Sequence, residues 1–383
     1  MNINSKITFV MPWHISERGG GAEVQANFLA QELGRRGYDV SYICQTTTKA
    51  KIDTVHQVNN IKVYFLKPSG RFPWLDQNKY LVPIKTIKPD YILQRLSSNV
   101  TYVLGKYSSK NACKFIWFCT DDSSPFKNFH LRKFTNFYSV KNLGVFKYYL
   151  FLCRARIMDF YRNSGMTNVD LCFSQNDFQK EKLKAHFNLE SYRMISAHPK
   201  PNDSLSSQEK FNKKTILWCA NLGEHKRPEL FVQLAEAIED RGMECIMVGG
   251  HADRARVNTL FKNKPKNLKT TGQLEFEESL LHFDSATILV NTSISEGFSN
   301  TYIQAWLRGV PVIVFGADPS MVIEKESLGY NVKNIDEAIR KIDYLFSNFT
   351  AYSEMSTHVK TYADNNHSIK IMTDNFINSI NKK

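Results

Sequence analysis

The sequence predicts an α/β protein of two doubly wound halves, each a parallel sheet covered by helices on both faces. Three observations predict it. Short β-branched runs alternate with amphipathic helical stretches along most of the chain. That alternation lapses over 198–213 and then restarts. A glycine turn joins the first strand to the first helix. At 383 residues, 42% hydrophobic and 13% aromatic, the chain holds enough apolar surface for two domains of ~100–200 residues.

The elements follow in order. A strand over 6–13 leads through a glycine turn into a helix over 22–36, with Val24, Phe28, Leu29 and Leu33 on one face and Gly37 ending it. Strands are expected at 38–44, 62–66, 90–93, 115–118 and 169–174, the last followed by a helix over 176–187. His198-Pro199-Lys200-Pro201-Asn202-Asp203 and the Ser- and Lys-rich stretch after it lose periodicity and read as a linker. The second half then places strands at 215–220, 244–248, 286–291 and 310–315, with helices over 228–241, 279–284 and 300–307. Parallel sheets of this kind bind ligands at the carboxyl ends of their strands, here in a cleft between the two domains.

Composition removes several classes. Disorder, collagen and small disulfide scaffolds do not fit. Seven scattered cysteines without a C-x-x-C pair read as reduced thiols, neither a zinc site nor a disulfide framework. The sequence holds no run of ~20 apolar residues to cross a bilayer, and the run 7–11 is too short for a signal peptide. A cytoplasmic protein is expected.

Charge is uneven. Residues 1–200 carry 29 Lys and Arg against 14 Asp and Glu, a net of +15, whereas residues 201–383 carry 21 against 23, a net of −2. The excess concentrates in 123–163, where Lys127, Arg132, Lys133, Lys141, Lys147, Arg154, Arg156 and Arg162 face one acid, Asp159, among eleven aromatics. Phe137, Phe146, Tyr149 and Phe160 are among those rings. Cations interleaved with rings suit an anionic membrane surface. They equally suit single-stranded nucleic acid, and an aromatic excursion packed on its own domain gives the same pattern.

Three turns carry chemistry. Gly19-Gly20-Gly21-Ala22-Glu23 opens the first helix, where close backbone approach and a helix N-terminus favour an anion. Alone it is equally an ordinary tight turn. Ser295-Glu296-Gly297-Phe298-Ser299-Asn300 follows a strand and opens a helix, so that Glu296 can accept from hydroxyls and the next amides can face phosphate. Asn221-Leu222-Gly223-Glu224-His225-Lys226-Arg227-Pro228 places two cations before a helix, suited to a diphosphate or to nothing beyond an exposed basic loop.

Taken together, Gly19-Gly20-Gly21-Ala22-Glu23, Lys226 in its strand–loop–helix setting and Ser295-Glu296-Gly297-Phe298 resemble the family 4 glycosyltransferases. Gly249-Gly250, Gly272, Gly309-Val310-Pro311-Val312 and Asn366-His367-Ser368 add to the resemblance, which spans nearly the whole chain. It implies the GT-B architecture, two Rossmann-like domains facing across a cleft, with a C-terminal helix crossing back to the first domain. The expected boundaries are 1–197 for an acceptor domain, 198–213 for the linker, 214–360 for a donor domain and 361–383 for the C-terminal helix. It further implies retaining transfer of a sugar from a nucleotide-sugar donor to a saccharide or lipid-linked acceptor, as in bacterial surface polysaccharide synthesis, with no metal and no other cofactor. By that resemblance Glu296 touches donor-sugar hydroxyls. Lys226 and Arg227 bind the diphosphate with Gly20, Gly21 and the 297–300 amides of Gly297, Phe298, Ser299 and Asn300. Gln273 and Leu274 lie at the base.

Three departures stand out. Gln304 replaces the family's second glutamate, at the ribose, and Asn221 replaces an arginine. Asp121 falls near the position of the family's first-domain histidine and is expected to act in its place. An amide at 304 can still accept and donate to a hydroxyl. A non-catalytic sugar-nucleotide binder and a nucleotide-sugar epimerase of the same fold are the alternatives. Nothing resembles a helix-turn-helix, zinc finger or RRM signature, so nucleic acid is not the expected partner. The basic half is expected to rest on the anionic inner face of the cell membrane.

Overall fold

The computed structural model describes residues 2–96, 98–138, 143–250 and 254–382. The chain forms two units, one of Met1–Ile195 with Ile369–Lys383 and one of Ser196–Ser368.

The first unit carries β1 (Lys6–Trp13), β2 (Asp39–Gln45), β3 (Thr54–Val58), β4 (Ile61–Leu66), β5 (Tyr91–Arg95), β6 (Lys114–Phe118), β7 (Leu171–Ser174) and β8 (Ser191–Arg193). They pair in the order β3-β4-β2-β1-β5-β6-β7-β8, parallel throughout except for the β3–β4 hairpin. That hairpin was not expected from the sequence. Its turn is Asn59-Asn60, both at positive φ (48° and 63°), the conformation that asparagine tolerates and a twisted two-residue hairpin requires. Strand order reverses at β1, so the loops after β1 and β5 part there and leave a crevice.

The helix Gly21–Arg35 and the last helix, Ile369–Asn381, cover one face of this sheet. Arg36 Nη1 donates to Asp374 Oδ1 at 2.5 Å, and Phe376 packs on the rings of Phe118 and Phe173. The expected C-terminal segment 361–383 is therefore divided. The helix Phe349–Asn366 stays with the second unit, and the chain changes units after His367-Ser368.

The second unit is wholly parallel. Its strands β9 (Thr215–Cys219), β10 (Glu244–Val248), β11 (Leu268–Gly272), β12 (Ile288–Asn291), β13 (Val312–Val314) and β14 (Gly329–Asn331) pair in the order β11-β10-β9-β12-β13-β14. Here the order reverses between β9 and β12. Trp218, Phe231, Ile288 and Ile313 fill one side of the sheet, and Leu217, Leu289, Trp306 and Val312 the other. The stretch 198–213, expected as a linker, belongs to this unit and contains the helix Ser207–Lys213. Ser206 and Glu209 form a reciprocal cap at its start. Lys210 is buried and its ammonium donates to Ser204 Oγ and to the Arg308 carbonyl. Caps and a buried ammonium hold this helix in place of an apolar stripe, so periodicity did not reveal it.

His367 anchors the end of the second unit. It is buried against Phe298, Trp306 and Tyr362, with Nδ1 bonded to the Ser196 carbonyl at 2.9 Å. Burial lowers its pKa to about 4, and burial lowers that of His198 to about 3. A histidine held neutral in the fold contributes stability above its unfolded pKa of ~6.5, and loses it as pH falls toward the folded value. Hydrogen exchange should therefore show the second unit losing protection between pH 6.5 and about 4, with a smaller loss in His367→Asn.

In the first unit the helices Val100–Ser108 and Val145–Met166 cross at Gly165, where a Cβ would stand 2.2 Å from the Thr101 carbonyl oxygen. Only glycine lets backbone approach backbone so closely. Gly165→Ala should destabilise this unit by ~1–3 kcal/mol in urea titration, through forced overpacking.

Candidate active site

Two loops of the second unit meet at its switch point, because β9 and β12 are neighbours and the loops that follow them leave the same edge of the sheet. The loop after β9 carries Lys226 and the loop after β12 carries Glu296. Trp218 Nε1, inside β9, donates to Thr292 Oγ1 (2.9 Å), and Thr292 Oγ1 donates to the Lys226 carbonyl (2.6 Å). His225 Nε2 meets the Ser295 carbonyl at 2.7 Å, and the Ile294 N–H donates back to the His225 carbonyl. The two loops are thereby one rigid object.

Within it, Lys226 Nζ donates to Glu296 Oε1 at 2.6 Å. Ser293 Oγ (2.7 Å) and Asn291 Nδ2 (3.3 Å) donate to the same oxygen. No described residue bonds Oε2. The Glu296 side chain is only 11% exposed. Burial opposes its ionisation, but Lys226, Ser293 and Asn291 outweigh burial and hold the carboxyl below its usual range.

Arg227 departs from expectation. Its Nε donates to the Thr292 carbonyl (2.5 Å), and its Nη2 to the carbonyls of Ser293 (3.2 Å) and Phe315 (2.7 Å). It sits at φ +46° immediately before Pro228, the first residue of the helix Pro228–Ala237. The guanidinium is a clamp on the loop, and the cation presented beside Glu296 is that of Lys226. Asn221, in place of the expected arginine, uses Oδ1 to accept from the Gly223 N–H and shape the turn.

The remaining second-unit residues fall as follows. Gly297 continues the loop after Glu296. Phe298 packs its ring on Trp306 and His367, so any ligand contact is left to its backbone. Ser299 bonds Thr301 through its hydroxyl, and Asn300 bonds His198. Gln304, on the helix Asn300–Trp306, is 6% exposed. Gln273, exposed, and Leu274, half-buried on the core, follow β11 at the same edge of the sheet, where Gln273 lies against Gly250.

The first unit is described by itself. Gly20 caps the helix Gly21–Arg35 in extended conformation without a side-chain bond. Glu23 folds its carboxylate back over it, and a Cβ at Gly20 would stand 2.5 Å from Glu23 Oε2. Burial raises the Glu23 pKa. Asp121 Oδ1 accepts from the N–H and hydroxyl of Ser123 and the N–H of Ser124, and Lys133 lies 3.7 Å from Oδ2. That carboxylate is thus engaged in its own turn. Sequence reasoning passed over two residues at the crevice edge. His14, after β1, takes two bonds from Ser16 on Nδ1 and stands edge-on to Tyr42. Arg95 ends β5, 4% exposed, with Nε and Nη1 lacking partners among the described residues. The available signal was an ionisable residue at the carboxyl end of each strand flanking the crevice.

Residues 213–348 match the family described as glycosyl transferases group 1. An uncharacterized glycosyltransferase of Haemophilus influenzae is 22% identical over 363 residues, 91% of this chain and 92% of that protein. The chain has the GT-B fold. Its structure is similar to that of the Anabaena protein HepE in complex with UDP-glucose (TM-score 0.70, 13% identity, 99% of this chain and 100% of that one). It is likewise similar to WaaG, a glycosyltransferase involved in lipopolysaccharide biosynthesis (TM-score 0.68, 11% identity, 96% and 98%).

The Lys226–Glu296 pair makes a direct prediction. Lys226→Ala leaves the Glu296 carboxylate buried without its cation, so its pKa rises; carbonyl-labelled NMR titration should find it titrating at higher pH than in wild type.

Proposed function

We propose that this protein is a glycosyltransferase that moves a sugar from a nucleoside diphosphate donor to a saccharide or lipid-linked acceptor with retention of the anomeric configuration and without a metal ion, in surface polysaccharide synthesis at the inner face of the cell membrane. The observation that carries the reading is the Lys226–Glu296 pair at the switch point of the second unit. Lys226 has three donors and spends one on Glu296, so its charge can turn to a departing diphosphate while Glu296 Oε2 accepts from a donor-sugar hydroxyl. As the anomeric carbon–oxygen bond to the phosphate breaks, negative charge grows on the diphosphate, and Lys226 and the 297–300 amides meet it. The acceptor hydroxyl bonds the same face of the carbon, and its proton leaves on the departing phosphate. Gln304 takes the ribose, and the backbone at Gln273 and Leu274 the base. The UDP-glucose bound by HepE supports a nucleotide-sugar donor, and the pathway of WaaG supports a surface glycan product.

Attachment to the membrane is assigned to the helix Val145–Met166. No helix among the described residues is long and apolar enough to cross a membrane. Phe146 (81% exposed), Tyr149, Leu150, Ile157 and Phe160 (67%) instead form a stripe at helical spacing on its outer face. Lys147 and Arg156 stand beside them, exposed. Other members of the basic segment serve the fold. Arg162 is fully buried, donates to the carbonyls of Phe126 and Ser124, and lies over Trp117 and Phe129. Lys141 and the side chain of Phe137 lie outside the described residues.

Two measurements test the site. A hydrogen bond to a charged group is worth ~1.5–3 kcal/mol, so Glu296→Ala should lower kcat/KM roughly 10- to 150-fold, and full activity in a folded variant removes Glu296 from the site. Calorimetry with a nucleoside diphosphate should find Gln304→Glu binding at least as well as wild type and Gln304→Leu weaker by ~1–3 kcal/mol. Turnover that survives chelator, with the product anomer read by NMR, decides the metal-free and retaining parts.

A further inference from the structure

A cavity of about 520 Å³ opens in the first unit between the helices Leu81–Ile87 and Val100–Ser108. Lys85, Lys88, Lys106 and Lys110 rim it, and Leu81 and Val103 contribute to its apolar wall. No carboxylate lines it, and none of the four lysines forms an ion pair among the described residues. Lys106 Nζ stands over the ring of Tyr102, another wall residue, at 5.5 Å from its centre. The cavity lies where the chain enters β5 and β6, at residues 88–89 and 110–113. Gly19-Gly20-Gly21 and Asp121 follow the carboxyl ends of β1 and β6, so they occupy the opposite edge of the same sheet.

Several ammonium groups without an ion pair among the described residues, around an apolar floor, fit one ligand chemistry, an anionic head joined to an apolar body. The surroundings decide between sources. Tyr102 packs edge-on to Tyr161 at 5.3 Å, and Tyr161 packs edge-on to Phe160 at 5.7 Å. Phe160 is the last ring of the exposed stripe on Val145–Met166. A row of rings thus connects the cationic cavity to the face assigned to the bilayer. We propose that this cavity binds the phosphate headgroup of a membrane lipid, which adds lipid selectivity to the attachment proposed above and rests on that reading. Phosphate meets the lysines, and the stripe meets the acyl region beside it.

The test uses the full chain and vesicles of phosphatidylcholine doped with phosphatidylglycerol, or with the same charge supplied as oleate. Wild type should bind the phosphatidylglycerol vesicles about tenfold better than the oleate vesicles, since a diffuse charge effect depends on surface potential alone. Lys85→Gln/Lys106→Gln/Lys110→Gln should lose that preference. Lys49→Gln/Lys62→Gln/Lys180→Gln removes equal charge from exposed sites elsewhere in the unit and should keep it. Phe146→Ser/Phe160→Ser should weaken binding to both vesicles and leave the ratio unchanged. Unaltered circular dichroism and hydrogen-exchange protection of the first unit show that each variant is folded. Equal binding to both vesicles by wild type, or a ratio that the cavity variant retains, overturns the headgroup site while the membrane reading stands. Wild type that ignores both vesicles overturns both. Cavity-dependent binding of glycerol phosphate without any vesicle preference overturns the lipid assignment.

Discussion

Parallel pairing is the constraint on which the rest of this molecule depends. A parallel strand must be re-entered from the same end as its neighbour, so every connection crosses a face of the sheet as helix or loop, and every strand exits at one edge. In the second unit this collects the loops after β9 and β12 side by side, although Lys226 and Glu296 are 70 residues apart in sequence. Strand order reverses there, the helices that follow turn to opposite faces, and the crevice left between them is the place where a ligand can reach backbone and side chain together.

What fills that crevice is an economy of charge. Three cationic or polar donors converge on one oxygen of Glu296, which keeps a buried carboxylate ionised against the cost of its desolvation. Arg227, the stronger hydrogen-bonding cation, is spent on three backbone carbonyls and fixes the loop. Its planar fork suits that clamp better than an ammonium would. Lys226, a compact point charge with donors to spare, faces the site. The neighbouring assignment of Arg and Lys in sequence gives no hint of this division; geometry makes it.

The first unit shows the same separation of structural and presented charge. Asp159 accepts from the His130 and Leu131 N–H groups, satisfying the start of the helix Phe129–Phe137. Arg162 is buried beneath rings. The cations left outside are those on exposed helix faces, beside aromatic side chains that the core does not need. A segment whose composition looked uniformly basic and aromatic is in fact half scaffold and half surface.

The sequence by itself determined the α/β class, the two halves, and the identity of Lys226, Glu296 and Gln304 as residues to watch, because hydrophobic period and turn chemistry are local properties. It did not reveal the helix Ser207–Lys213, held by a cap and a buried ammonium, nor the β3–β4 hairpin, whose strand Thr54–Val58 is largely exposed. The family resemblance implied that a last helix returns to the first unit, but not the contacts of Phe376 and Asp374 that hold Ile369–Asn381 there. Tertiary structure alone decided which cation is a clamp and which is presented, that Gln304 is buried, and that Asp121 is occupied in its own turn. Those outcomes depend on partners distant in sequence. Burial and hydrogen-bond satisfaction are set by whatever the fold brings alongside, and no local pattern of residues encodes them.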